Sequence, residues 1–244
     1  MQLQAHLDQL AVDAALLRRA AEWAGLEATV PSCPNWQVRR LVQHVAKVHR
    51  WASWIVAGKD QDEFSFVVPG DDELFEAFSA GAAHLIFELR SASPHLNVPT
   101  FLPADSPRDF WARRQSHETA IHRVDAELAA DYGVSEFEAQ FAADGLAELF
   151  LGFGPARFDT TAVRAPFAVT FTPIDVNPAW TVRVAPDGVQ ATTEARDDSE
   201  LTVFGTASDL YRWAWNRAGD DDVSLRGDVA LSDVWRSFCV VGAR

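Results

Sequence analysis

Glu118 and His122 stand four residues apart in the segment His117-Glu118-Thr119-Ala120-Ile121-His122-Arg123-Val124-Asp125-Ala126-Glu127. On a helix advancing about 100° per residue they share a face, where a carboxylate and an imidazole can reach one metal ion. The same spacing also serves an ordinary hydrogen-bonded pair on a helix surface, so by itself it supplies half a metal site. It excludes a zinc-protease helix, whose His-Glu-x-x-His pattern needs histidines at i and i+4. The residue four after His117 is Ile121, which leaves His117 and His122 five apart, roughly 140° around the helix. They do not share an ion easily, and His117 is left for packing, a hydrogen bond or support of a ligand.

The helix carrying this segment announces its own start. Ser106-Pro107-Arg108-Asp109 places a serine at the N-cap, a proline at the first helical position and an acid at the third. Upstream, Leu3, Leu7, Leu10, Ala14, Leu17 and Ala21 recur at three- and four-residue steps, which predicts a helix over 3–24. Val38, Leu41, Val42, Val45, Val48, Ala52 and Ile55 predict a second, stopped by Gly58, with His44 inside it. A third is expected from near Asp72 to about Ser91, followed by a loop marked by Pro94, Pro99 and Pro103. Ser135-Glu136-Phe137-Glu138 reads as a capping box opening a fifth helix through Leu149, with Gly152 and Gly154-Pro155 ending the helical region.

The periodicity then changes to two. Phe167 to Phe171, Thr181 to Val184, Val189 to Thr193 and Leu201 to Phe204 read as strands, with Pro186-Asp187-Gly188 as a turn. Thr206 to Arg217 reads as a helix. The expected architecture is α+β in two domains, a helical bundle over residues 1–155 and a small α+β domain over 156–244.

Composition narrows the function. The chain has 244 residues, 48% hydrophobic, and a formal net charge of −14 from 35 acids against 21 bases. That balance opposes binding to a phosphate backbone or an anionic membrane surface, so neither nucleic acid nor membrane is expected as a partner. The N-terminus lacks a basic start followed by an apolar run, and no stretch approaches the roughly 20 apolar residues of a spanning helix; a soluble cytoplasmic protein is expected, as monomer or homodimer. Cys33 and Cys239 are too few for a disulfide scaffold and read as free thiols, Cys33 as structural rather than nucleophilic. Asp71-Asp72-Glu73 and Asp220-Asp221-Asp222 read as solvated loops, and Trp51, seven residues after His44, as either pocket wall or core. Lys47 and Lys59 are the only lysines beside many arginines, a bias that suits a GC-rich genome.

Several motifs together resemble one family. Val30-Pro31-Ser32-Cys33-Pro34-Asn35-Trp36-Gln37-Val38, then Leu41-Val42-Gln43-His44-Val45, then the His117 to Glu127 segment, are similar to the mycothiol-dependent maleylpyruvate isomerase family. The likeness continues at Phe204 to Leu210, at Trp213-Ala214-Trp215-Asn216-Arg217 and at Gly227-Asp228, and so spans nearly the whole chain. It departs at Asn35 and Asn216, where the family commonly has glycine.

The resemblance implies an N-terminal DinB-like four-helix bundle and a C-terminal domain like sterol-carrier protein 2. It implies a metal triad of His44, Glu118 and His122, with zinc as the expected ion, and an arginine from the second domain falling on Arg217 as a catalytic residue. Mycothiol, a thiol made by GC-rich actinobacteria, is the implied cosubstrate, with a small electrophile as its partner. Three ligands leave coordination positions open, as catalytic zinc requires, and a thiol held there ionises at neutral pH. Such a thiolate adds to a cis double bond and leaves after rotation, an isomerase, or stays attached, an S-transferase; the motif fixes the nucleophile and not the substrate. Asp125 shares the ligand face and is expected to orient a ligand or to bind the polar parts of the thiol cofactor, against the plain reading of a surface carboxylate paired with an arginine. A non-catalytic ligand-binding or regulatory protein on the same bundle is the rival outside the enzyme class.

Overall fold

A computed structural model describes residues 1–238; Cys239 lies outside the described residues. The chain divides into two compact units, Met1–Ser135 and the residues from Glu136 onward.

The first unit is a bundle of four helices, α1 (Leu3–Ala24), α2 (Val38–Val56), α3 (Asp71–Ser91) and α4 (Pro107–Ala130). α1 packs along α4 and α3, and α2 along α3 and α4. α4 begins as expected, the Ser106 hydroxyl accepting from the Asp109 backbone N–H at 3.3 Å, a cap that stabilises by about 1 kcal/mol. It ends at Asp131, which adopts the left-handed conformation with φ 52°.

The apolar residues of these helices form two clusters, one towards each end of the bundle. Leu17, Val42, Val45, Phe78 and Ala126 belong to one; Leu7, Leu10, Ile55, Leu85, Leu89 and Trp111 belong to the other. On α4 neither of these clusters includes the stretch from Arg114 to Asp125, where polar groups are buried beside Ala120, Ile121 and Val124. Asp13, His49, Arg114, Gln115, His117, Thr119, Arg123, Asp125 and Glu127 are all buried. α4 is therefore buried around most of its circumference, although its sequence is too polar to show the stripe of an ordinary surface helix.

A buried cation holds part of this belt. Arg123 lies 2.9 Å from Asp13 on α1 and 2.8 Å from Glu127 one turn along α4, and it donates to the Ser135 carbonyl at 2.8 Å. Glu127 in turn accepts from the Ser135 backbone N–H at 3.1 Å and hydroxyl at 2.7 Å. Burial pushes the Asp13 carboxyl up to about 6, against the lowering effect of Arg123. The loop before α2 is also closed, with Val30 N–H donating to the Trp36 carbonyl at 3.0 Å and Val38 N–H to the Ala28 carbonyl at 2.9 Å.

The second unit contains α5 (Ala139–Ala147), a π-helical turn (Glu148–Phe153), α6 (Gly154–Arg157), β1 (Phe167–Pro173), β2 (Trp180–Ala185), β3 (Gly188–Thr192), β4 (Leu201–Gly205), α7 (Ala207–Ala214), β5 (Ser224–Gly227) and α8 (Leu231–Phe238). The five strands lie in the order β3-β2-β1-β4-β5. All neighbours are antiparallel except β1 and β4, which run parallel with Val169 opposite Leu201. Aromatic rings fill the core: Phe171 lies 4.5 Å from Phe150 and 5.1 Å from Trp235, and Trp213 stacks on Trp235.

Several expectations change here. The units divide after Ser135 and not near residue 155, because α5 packs on α7 and the π-helical turn packs on β3. Ser135 does not cap α5, since its hydroxyl is engaged by Glu127; Glu138 is the cap, accepting from the Phe141 N–H at 3.0 Å. Gly152 and Gly154-Pro155 do not end the helical region either, which continues through the π turn into α6. α7 stops at Ala214, with Asn216 at φ 60°. β5 and α8 escape the sequence reading because β5 is a four-residue edge strand and mostly exposed. Its last residue, Gly227, has φ 109° and abuts the Glu200 carbonyl so closely that a Cβ would collide with it. Asp220 is not simply solvated: it accepts from Trp213, Ser232 and Arg236 and fastens α8 to α7.

Replacing Arg123 with methionine leaves Asp13 and Glu127 buried without their cation. The substitution is expected to destabilise the bundle by about 3–5 kcal/mol in urea unfolding, and a loss under 1 kcal/mol would contradict the role given to the network.

Candidate functional site

The bundle brings His44 of α2 to Glu118 and His122 of α4. His44 Nε2 and His122 Nε2 each lie 3.3 Å from Glu118 Oε1, and one ligand atom from each of the three falls within 4.8 Å of the others. Ligand atoms around one tetrahedral zinc, at about 2.0–2.1 Å from the ion, lie roughly 3.4 Å apart. Two imidazoles and a carboxylate at this spacing fit a divalent cation. The rings of His44 and His122 meet edge to face at 4.9 Å. The His44 and Glu118 side chains keep 31% and 26% of their surface exposed, so the group opens to solvent while His122 is exposed by only 12%.

Further residues hold the triad in place. Asp125 is fully buried, and its Oδ2 lies 2.8 Å from His122 Nδ1. Its other oxygen accepts from the Ser32 hydroxyl, which comes from the closed loop before α2. A proton on Nδ1 leaves His122 Nε2 directed at Glu118 and available to a metal. Arg114, buried one turn before Glu118, donates to Glu118 Oε2 at 3.3 Å, so the two carboxylate oxygens face different partners. Trp36 forms a wall, its ring 5.0 Å from that of His44 and 6.1 Å from that of His122, nearly parallel to the latter.

The electrostatics follow from this crowding. Burial alone raises the Glu118 carboxyl, but hydrogen bonds from His122 and His44, with the charges of His122 and Arg114, outweigh it and hold the group well below its ordinary range. For His122, burial opposes the charged form, yet Asp125 and Glu118 prevail and lift the imidazole to about 9. His49 shows the opposite case on the same helix as His44. It is fully buried and bonds Thr119 at 2.8 Å, and burial, with the charges of His122 and His44, outweighs Glu118 and pushes it down to about 4.

Other sequence candidates lie elsewhere. His117 is buried on a different side of α4, against the ring of His6 at 5.7 Å. Trp51 is core, packed edge-on against Trp111. Cys33 is half-buried against the first apolar cluster. Arg217 belongs to the second unit, on the turn after α7, where it donates to the Trp215 carbonyl at 2.7 Å. Asp125 does not face outward to meet a cofactor, because both oxygens are turned inward on His122 and Ser32. Arg114 was findable as the residue four before Glu118; Ser32 and Trp36 reach the site from a loop, and no spacing rule connects them to α4.

Residues 7–127 match the family model described as the mycothiol maleylpyruvate isomerase N-terminal domain, and residues 140–233 match the C-terminal domain of the same family. The chain belongs to the mycothiol maleylpyruvate isomerase family. Among solved structures, a crystal structure of mycothiol-dependent maleylpyruvate isomerase is similar at 18% identity and TM-score 0.60, covering 94% of this chain and 95% of that one. A histidine-to-alanine mutant of that enzyme matches at 17% identity and TM-score 0.63 with the same coverage. At that identity the likeness is one of fold, and it supports the two-domain α+β architecture. No curated protein matches significantly. Among the described residues of this family member, no helix is long and apolar enough to cross a membrane.

In metal-free protein, His122 is expected to stay doubly protonated through neutral pH and to titrate near 9 by nitrogen NMR. Because its folded value is raised above the ordinary 6.5, its contribution to stability is complete below about pH 6.5 and is lost as pH rises through about 9. An imidazole already neutral at pH 7 would contradict the Asp125 and Glu118 pairing.

Proposed function

We propose that this family member is a cytoplasmic metalloenzyme that uses mycothiol to isomerise a small unsaturated acid about a cis double bond. The observation supporting it is the triad: three ligand atoms within 4.8 Å of one another, open to solvent on one side and braced by buried carboxylate and guanidinium groups on the other. A divalent ion there, zinc being the one the family resemblance implies, would supply the Lewis acidity that keeps a thiol ionised at neutral pH.

The chain's own residues do the rest. Asp125 fixes the tautomer and orientation of His122, and Arg114 keeps Glu118 turned so that one oxygen points to the ligand cluster. Trp36 closes one side with an apolar face that excludes water. Arg217 is proposed as the group that takes a substrate carboxylate or the enolate oxygen, its planar fork matching paired oxygens.

A thiol held there would supply a sulfur nucleophile that adds to an alkene carbon and leaves again with its electron pair, so that the former double bond could rotate in between while Arg217 would hold the oxygen that takes up the π pair. No net proton is exchanged. Transfer of the thiol to an electrophile is the alternative outcome of the same nucleophile, and product mass separates the two.

Elemental analysis is expected to find about one divalent ion per chain in the native protein and little in His44→Ala or His122→Ala. Asp125→Asn is expected to keep the ligands and weaken metal affinity by about 10–100-fold in chelator competition. Equal metal in all four proteins would remove the site. Metal-loaded protein without thiol-dependent turnover on an electrophile panel would favour the non-catalytic reading.

A further inference from the structure

Arg40 lies one helical turn before His44 on the same face of α2. Its guanidinium carbon sits 5.0 Å from the centre of the Trp36 ring. Trp36 is the residue whose indole packs on both His44 and His122, so a single ring separates this positive charge from two of the proposed ligands. The ring itself is 5% exposed, whereas the arginine above it is exposed.

Arg40 also differs from the arginines around it. Arg39 pairs with Glu27 and Asp71, Arg114 with Glu118, and Arg123 with Asp13 and Glu127. Arg40 has no carboxylate within ion-pair distance and no hydrogen-bond partner among the described residues, in a chain with 35 acids against 21 bases. A guanidinium stacked on an indole is held in place by its face while the N–H groups at its edge stay available. Those N–H groups form a planar fork that suits a carboxylate. Trp36 is itself fixed by backbone bonds in the closed loop before α2, so the platform is rigid before any ligand arrives.

We infer that Arg40 on its Trp36 platform is an anion-recognition point beside the triad, which selects an electrophile carrying a carboxylate. The word electrophile rests on the proposed function; the recognition of a carboxylate does not. A direct contact to the thiol cosubstrate is the other use of the same arginine, and the test separates the two.

The probe is succinate, an unreactive dicarboxylate, titrated calorimetrically into the metal-loaded full-length protein. Arg40→Gln is expected to weaken succinate binding about tenfold or more, the loss of a charge-assisted hydrogen bond, while Arg40→Lys keeps part of the affinity. Metal content and mycothiol affinity are expected to match the native protein. In turnover, Arg40→Gln is expected to raise KM for maleate about tenfold at constant kcat, while the ratio of variant to native KM stays near one for dimethyl maleate. Absence of succinate binding to the native protein, equal succinate affinity in Arg40→Gln, or loss of mycothiol affinity in place of succinate affinity would each overturn the inference. Failure of the thiol chemistry is read separately, as no turnover of either maleate or its ester by the native protein, and leaves the succinate measurement in force.

Discussion

An ionised carboxylate in the middle of a helical bundle is the constraint on which the first unit is built. Burial disfavours the ionised form of Glu118, and two imidazoles and the Arg114 guanidinium outweigh it, each of which has to be oriented in turn. Asp125 orients His122, and the Ser32 hydroxyl completes Asp125. A half-satisfied network at this depth would cost more than an apolar core, so the polar groups come as a set. The apolar clusters above and below offset that cost, and their separation leaves a belt in which the polar set fits.

This arrangement explains why α4 carries so much of the chemistry. Its residues from Arg114 to Glu127 supply two members of the triad, the carboxylate behind one of them, the guanidinium beside the other and, in Arg123 and Glu127, two members of the buried ion network. A side chain on a rigid helix is placed more precisely than one on a loop, and three partners at i, i+4 and i+7 fix one another. α2 contributes His44 and Arg40 from a single face, and the loop before it contributes Ser32 and Trp36. The second unit is built on different terms, with an aromatic core under a mixed five-stranded sheet and one carboxylate, Asp220, fastening its last helix.

Much of this was legible in the residues. The four bundle helices, the Ser106 cap and four of the five strands follow from periodicity and capping chemistry, which are local. The pairing of Glu118 with His122 is likewise local, since four helical residues bring them together wherever the helix lies. The boundary between units was not legible. The polar belt was invisible as well, since no spacing rule marks Asp13, Arg123 and Glu127 as buried partners.

By itself the sequence determined which residues stand on one helix face, and it carried enough motif to indicate the family before any coordinates. Only the tertiary structure decided that His44 meets the Glu118 and His122 face, that Asp125 turns inward, and that Trp36 and Ser32 come to these side chains from a loop. The reason is the range of the forces involved. Helical spacing and caps act over three or four residues and are written in order along the chain. The meeting of α2 with α4 depends on how two apolar clusters pack, and so does the burial that sends His122 to about 9 and His49 to about 4; the linear order of residues does not contain that packing.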